Sequence, residues 1–487
     1  MINQSSGQGA LFELVARGIK DNYFVKDSKD SIFPYNPSYH SSIHHLAERK
    51  TVVPVNGTKF GSTFEVDIDT YGDIMTECAL EIDLPTWLPC LPITLNGQLY
   101  NPSTANGLYP ITSNGNSYGY VNYVGYFLFE KIQFYQDQFL IQEWSGDGLL
   151  AKQVSEGSYT NSFLRQMMGG QLETDNVNRS IQLRATPGHL RITLPLPGLS
   201  DEGFPLLAMP WQKLRIKATL RKLEDLVVCS NDLVKPEPWN ASFNMLIDED
   251  VYSFISKPLT DIGNPTILLS TIQHYVPQHI QQELRSKLIQ IPFRRQFENN
   301  FTFGELDYVS LDNGGVSIVT RRLDGRHPTE KIFWFFRNQN AIDRNKLDDF
   351  YNDYYDFNTA VQPFTEPYGN YYYNMKLVIA GKDRENMHEP FVLQGISQLA
   401  KDEKGSGLHI GEMKWTTGEK FGTIYPCSRQ PEGTINFTTA DRPTLHIQLA
   451  NIRPNILGQR KSEFRVFTES WNVYEIQEGR GRLLFAN

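Results

Sequence analysis

A chain of 487 residues is long for one hydrophobic core, and its 40% hydrophobic and 12% aromatic content supplies two sizeable cores and excludes wholesale disorder. The net charge of −9 leaves no basic field to displace counterions from phosphates, which excludes direct nucleic-acid binding as the main task. With 36 Gly, 27 Pro, 24 Tyr and 29 Phe, the composition favours strands and turns over helices.

In chain order, Ala10 to Ile19 reads as a short amphipathic helix, with Leu11, Leu14, Val15 and Ile19 on one face and Glu13 and Arg17 opposite. It is too short to span a bilayer, and its charges rule out the uninterrupted apolar stretch of a secretory signal. The stripe needs a surface, which its own domain, a neighbouring subunit or a membrane would provide. Lys26 to Ser42, rich in Ser, Pro, Asp and Asn, reads as an extended arm.

Gly61 to Pro85 carries the clearest strand signal. Phe64, Val66 and Ile68 alternate with acids, the Tyr71–Gly72–Asp73 turn follows, and Cys78, Leu80, Ile82 and Leu84 alternate again. This pattern predicts an antiparallel hairpin with one buried face. Thr86 to Tyr120, dominated by Asn, Gly, Ser, Thr, Pro and Tyr, predicts a long ordered loop. Strands are expected at Tyr126–Tyr135, Phe139–Trp144, Leu190–Leu196, Leu214–Leu220 and Phe243–Ile255, with a helix at Asp147–Ser155. Thr260 to Thr271, punctuated by Pro, Gly and Asn, is taken as the domain boundary.

Beyond it, strands are expected at Ser286–Phe293, Gly315–Thr320 and Lys331–Arg337, and then at Met375–Ala380, Phe421–Tyr425, Gly433–Phe437, Leu445–Leu449, Phe464–Phe467 and Val473–Ile476. Ile332, Phe333, Trp334, Phe335 and Phe336 form the most hydrophobic run in the chain. Five consecutive apolar residues mean either burial on both faces or a subunit interface. Asn338 to Asn374, with its Tyr- and Asp-rich centre, predicts a second long loop.

The search for chemistry gives little. The chain has no GxxxxGK[ST] or HExxH motif, and its ten histidines lack partners at ligand spacing. The pairs Asp67/Asp69 and Glu81/Asp83 could imitate a glycosidase dyad, but alternation alone puts acids there. Cys78, Cys90, Cys229 and Cys427 lie outside CxxC spacing and read as reduced thiols. Asn56, Asn178, Asn240, Asn300 and Asn436 stand in Asn-x-Ser/Thr sequons, which matter only if the chain meets the secretory machinery. No catalytic residue, metal site or cofactor is expected.

Four stretches together resemble the major capsid proteins of nucleocytoplasmic large DNA viruses, the group that includes chlorella viruses, iridoviruses and marseilleviruses. They are GALFELVARGIKDNYF, FGSTFEVDIDTYGDIMTECALEIDLP, YVGYFLFEKIQFYQDQFLIQEWSGDGL and RQPEGTINFTTADRPTLHI. In the last, the pattern rests on Pro431, Gly433, Asn436, Phe437, Asp441 and Leu445. They follow the family's order and span both halves. The resemblance implies an all-β fold of two consecutive eight-stranded antiparallel jelly rolls with long loops and a short N-terminal amphipathic helix. The expected organisation is residues 1–42 as helix and arm, 43–262 as the first jelly roll and 263–487 as the second.

On that resemblance the chain is expected to be a non-enzymatic capsid subunit of the virion, assembled in the host cytoplasm. Homotrimeric, pseudo-hexagonal capsomers would tile an icosahedral shell. Implied partners are the chain itself, minor capsid and penton proteins, and the inner viral membrane through the N-terminal segment. Leu11, Leu14, Val15 and Ile19 are assigned to an assembly contact on the inner face, and Ile332 to Phe336 to the subunit interface. The alternative is a lectin-like β-sandwich whose Tyr- and Asn-rich loops stack on sugars.

Overall fold

The structure is a computed structural model. It describes residues 45–85, 93–95, 98–100, 118–121, 123–155, 169, 187–199, 203–229, 263–312, 314–338, 371–379, 381–383, 388–389, 393, 410–415, 434–438, 443–451 and 460–485. The segment up to His45 forms a unit of its own, and the N-terminal helix and arm lie outside the described residues. Leu46 to Asn487 form one compact unit.

The first half is built on β1 (Leu46–Val52), β2 (Thr63–Asp67), β3 (Ile74–Asp83), β4 (Phe129–Gln136), β5 (Phe139–Trp144), β6 (His189–Thr193), β7 (Leu214–Leu220) and β8 (Thr266–Tyr275). They form two four-stranded antiparallel sheets, ordered β1-β8-β3-β6 and β2-β7-β4-β5. The second half repeats this with β9 (Ile289–Phe303), β10 (Ile318–Arg322), β11 (Pro328–Asn338), β12 (Tyr372–Ile379), β13 (Lys382–Asp383), β14 (Gly411–Lys414), β15 (Thr444–Leu449) and β16 (Ser462–Gln477). Its sheets run β9-β16-β11-β14 and β10-β15-β12-β13. Adding eight to each strand number of the first half gives the order of the second. Two jelly rolls of one connectivity therefore follow each other in the chain.

Alternation fixes the faces. In β7 the Leu214, Ile216, Ala218 and Leu220 side chains are buried and the residues between them are half-buried, over the span expected from sequence. In β3, Met75 and Cys78 both point inward although they are three positions apart, an odd spacing that ordinarily puts strand residues on opposite faces. A register shift opposite Ile272 and Gln273 inserts one extra residue there, a β-bulge that resets the alternation. Burial pushes the Cys78 thiol up to about 12, so it stays protonated as a packing group. Between β4 and β5, Asp137 takes φ 52° at the turn, and its carboxylate accepts the Lys213 backbone N–H at 2.9 Å.

Two expectations are corrected. Residues 63–67 and 74–83 do not form a hairpin: β2 pairs with β7 and β3 with β8, so the turn at Gly72 carries the chain from one sheet to the other. Period-two alternation identifies the buried face of a strand but not its neighbour. The boundary also moves. Thr266–Tyr275, expected to open the second jelly roll, is the strand between β1 and β3 in the first. The change of half falls instead at the helix Gln278–Ser286. Gly263, Asn264 and Pro265 mark the start of a strand and not the end of a domain. The strand expected at Ser286–Phe293 begins at Ile289 and continues through Arg294 and Arg295 to Phe303. The strands expected at Phe243–Ile255 and Phe421–Tyr425, and most of both long loops, lie outside the described residues.

The cores are unequally shared. One core fills the first sandwich and continues into Ile291, Phe293, Phe333, Phe335, Phe467 and Tyr474 of the second half. The other, with Ile332, Trp334, Phe336, Met375, Leu445, Phe464 and Val466, lies inside the second sandwich. The sheet β9-β16-β11-β14 is thus buried on both faces: one lines its own sandwich and the other packs against the first half.

Candidate functional site: the junction between the halves

The junction is organised by helix α1 (Gly146–Ser155), which follows β5 directly. Gly146 makes this approach possible, because a Cβ there would run into the backbone carbonyl oxygens of Tyr126 and Phe129. Asp147 lies in the first turn, where the helix dipole favours an acid, and Lys152 in the last turn, where it favours a base. Both side chains face the sheet of the second half.

Asp147 is fully buried among three guanidiniums. Its Oδ2 is 3.1 Å from Arg221, which follows β7, and 3.7 Å from Arg337, at the end of β11; it also pairs with Arg465 of β16. Burial alone would raise this carboxyl, but the charges of Arg221, Arg465 and Arg337 overrule it and hold it well below the usual carboxylate range. Glu463 sits beside it. It pairs with Arg337, lies 3.0 Å from Arg465, and accepts the Asn300 amide at 2.8 Å. Against burial, Arg337 and Arg465 lower its carboxyl too.

A second group lies along α1. Glu469 pairs with Lys152 and is 3.1 Å from Lys331 of β11, and all three are buried or nearly so. Burial opposes ionisation of Glu469, and Lys152, Lys331 and Arg294 reverse that. Arg294 forms a two-pronged pair with Glu330 at 2.8 and 3.3 Å and lies over the Trp471 ring. Ser155 closes the group by donating to Glu412 at 2.8 Å and accepting from Lys331 at 3.3 Å.

Such clusters add little net stability, because desolvation offsets the attraction, but each charge is costly to leave alone. The arrangement therefore fixes how the two jelly rolls sit together. Beside Arg221 and Arg465 opens a cleft of about 490 Å3, also lined by Lys131, Glu143 and Glu298. Glu143 there lies 2.9 Å from Lys131, and Glu298 lies 3.1 Å from Arg465. Each of those two carboxylates is thus paired with a basic side chain. Asp67 is likewise engaged by Arg215 at 2.7 Å. Among the described residues, no group of three His, Cys, Asp or Glu side chains is placed to hold a metal, and no helix is long and apolar enough to cross a membrane.

The assignment of Ile332 to Phe336 to a subunit interface is corrected. Ile332, Trp334 and Phe336 enter the second sandwich, and Phe333 and Phe335 face the first half. At most 3% of any of the five is exposed, so both sides of the run are covered within one chain. Leu11, Leu14, Val15 and Ile19 lie outside the described residues, as do Asn178 and Asn240. Asn56, Asn300 and Asn436 are exposed. The sequence reading missed Asp147, Arg337, Glu463, Arg465 and Glu469 altogether. A signal existed: Lys331 and Arg337 share the period-two face of Phe333 and Phe335, so a strand buried on both sides had to bury them as well.

No protein-family model matches the chain. A major capsid protein of Phaeocystis pouchetii virus is 34% identical over 64 residues, which is 13% of this chain and spans 12% of that protein's own length. Among solved structures, the capsid of PBCV-1 virus aligns over 93% of this chain and 100% of its own, with a TM-score of 0.62 and 15% identity. The Faustovirus major capsid protein aligns over 95% of this chain and 94% of its own, with a TM-score of 0.58 and 12% identity. The resemblance read from sequence is borne out in these neighbours, and the chain shares their double jelly-roll fold.

Proposed function

We propose that the chain is a viral major capsid protein that assembles into homotrimeric capsomers, and that these tile an icosahedral shell. The observation that carries the reading is the repeated jelly roll locked into one body. Two sandwiches of one strand order share a core and a buried charge cluster, and the neighbours that share this fold over most of their length are capsid proteins. Its chemistry is assembly rather than catalysis. The locked pair is a rigid building block, and weak contacts repeated between blocks let errors dissociate before the shell closes.

Self-association also suits the surface. Leu306, Val309, Val316 and Ile318 are exposed near the edge strand β10, and Leu306 is 91% exposed. Patches of this kind mark interaction sites. In this reading the protein belongs to the virion and is assembled in the host cytoplasm. Minor capsid and penton proteins are its further partners, and Leu11, Leu14, Val15 and Ile19 form a clamp against the inner side of the shell or its membrane.

Light scattering on the purified chain tests the proposal. A mass three times 55.8 kDa is expected at micromolar concentration, and a monomer there overturns it. Replacing Leu14 and Val15 with Asp should leave trimers intact and reduce particle yield.

A further inference from the structure

We infer that Asn56–Gly57 is a self-modification site: the Gly57 backbone nitrogen attacks the Asn56 side-chain amide and converts the residue to aspartate and isoaspartate. The inference does not depend on what the chain assembles into.

Asn56 stands in the turn that carries the chain from β1 to β2, from one sheet of the first jelly roll to the other. The turn is held on both sides of this step. Before it, the Val55 backbone N–H donates to the Glu65 carbonyl at 2.9 Å; after it, the Thr58 hydroxyl donates to the Pro265 carbonyl. Pro54 is buried, whereas Val55 is 75% exposed and Asn56 and Gly57 both face solvent. The segment is anchored at its ends and open at its tip.

The reaction needs a free side-chain amide and a free backbone nitrogen after it. Among the described residues, neither the Asn56 amide nor the Gly57 N–H has a hydrogen-bond partner. Gly57 takes φ 66°, and a Cβ there would meet nothing within 4 Å, so a ring closing on its nitrogen has room. Other asparagines lack one or both conditions. Asn300 donates its amide to Glu463 at 2.8 Å. Asn472 is buried, and its own side-chain oxygen accepts the Val473 backbone N–H at 2.7 Å. Asn264 precedes Pro265, which has no N–H to attack with. Asn96, Asn106, Asn114 and Asn313 also precede glycine but lie outside the described residues.

The step balances with water alone. Hydroxide removes the Gly57 N–H proton, and the nitrogen forms a bond to Asn56 Cγ. The Cγ–Nδ2 bond breaks, and Nδ2 leaves as ammonia from a cyclic imide. Water then opens the imide at either carbonyl, to aspartate or to isoaspartate, so the net exchange is ammonia for water. The product carries a new carboxylate. The isoaspartyl form also adds a methylene to the main chain between the Val55 and Thr58 anchors. Loss of ammonia to solvent makes the change one-way.

Mass spectrometry tests the site. Trypsin releases Asn56 in the peptide Thr51–Lys59 and Asn472 in Val466–Arg480, and neither peptide holds another asparagine. The purified chain is held folded at mildly alkaline pH and both peptides are weighed over time. The first should gain about 1 Da and split into two products, one of them a substrate for isoaspartyl methyltransferase, at least about ten-fold faster than the second. The rate in the folded chain should lie within about ten-fold of that in the free synthetic peptide, because the turn does not shield the step. Asn56→Gln, an exposed change that lengthens the side chain, should lose the gain. Stronger suppression than that in the folded chain overturns the assignment. Equal rates at Asn56 and Asn472 overturn it as well, and so does a glycan on Asn56 Nδ2, which would block the loss of ammonia.

Discussion

Asp147, in the first turn of a helix of the first jelly roll, lies 3.7 Å from Arg337, at the end of a strand of the second. The pair joins residues 190 positions apart in sequence, and both side chains are essentially inaccessible. It has no access to solvent that would relax it if one partner were lost. Asp147→Ala should therefore leave Arg221, Arg337 and Arg465 facing one another without their shared acid. The expected loss is about 3–5 kcal/mol, typical of breaking a buried pair from one side. Urea unfolding of wild type and variant measures it, and a loss below about 1 kcal/mol would show that the cluster is not integral to the junction.

The same groups set the response to acid. The Asp147, Glu463 and Glu469 carboxyls are all lowered in the folded chain, each against the opposing effect of burial. A carboxyl whose folded value lies below its unfolded one contributes stability that is fully present above the unfolded value, about 4. That contribution is lost as pH falls from there toward the folded value. The melting temperature should thus stay level from about pH 7 to pH 5 and drop steeply below about pH 4. In Glu469→Gln the drop should be shallower, because one of the three titrating groups is gone. A melting temperature that rises on acidification would contradict the assignment.

Gly146 supports the cluster indirectly. A methyl group there meets the Tyr126 and Phe129 carbonyl oxygens, so helix α1 must shift outward and carry Asp147 with it. Gly146→Ala should cost about 1–3 kcal/mol, as overpacking does, and also shift the acid transition toward that of Asp147→Ala. Stability and the pH dependence of melting, measured together, separate this from simple crowding. An equal loss at all pH values would place the effect outside the charge cluster.

Much of the framework was legible because period-two alternation reports burial directly. Leu214–Leu220 and Phe139–Trp144 have the bounds the sequence gives them. Strand pairing was not legible: Phe64–Ile68 and Cys78–Leu84 have the pattern of a hairpin, yet they line opposite walls of one sandwich. The junction was hidden for a different reason. Glu463, Arg465 and Glu469 occupy one face of β16, and charged residues on one face of a strand ordinarily mark solvent. Only the other jelly roll, brought up by long-range folding, turns that face into an interior. The run Ile332 to Phe336 carried the hint, since burial on both faces was one of its two readings.

The corrected boundary gives a direct test of the architecture. A first-half fragment spanning residues 46–262 lacks β8, the strand between β1 and β3. Without it, β1 loses its only partner among the described residues and β3 loses one of two ladders, so their backbone donors and acceptors go unpaired. Ile267 and Leu269, both buried in the core, are removed as well. Extending the fragment to residue 288 restores the strand and includes the helix Gln278–Ser286. It also restores the contacts of Asp73, whose carboxylate accepts the Val276 backbone N–H at 2.8 Å and the Gln281 amide at 3.1 Å. Both fragments expose the same junction face, so that liability cancels in the comparison. The longer fragment should keep a protease-resistant core and a strand-type circular dichroism spectrum, and the shorter should show neither. Equal resistance in the two would mean that the first jelly roll closes without β8 and that the boundary read from sequence was the better one.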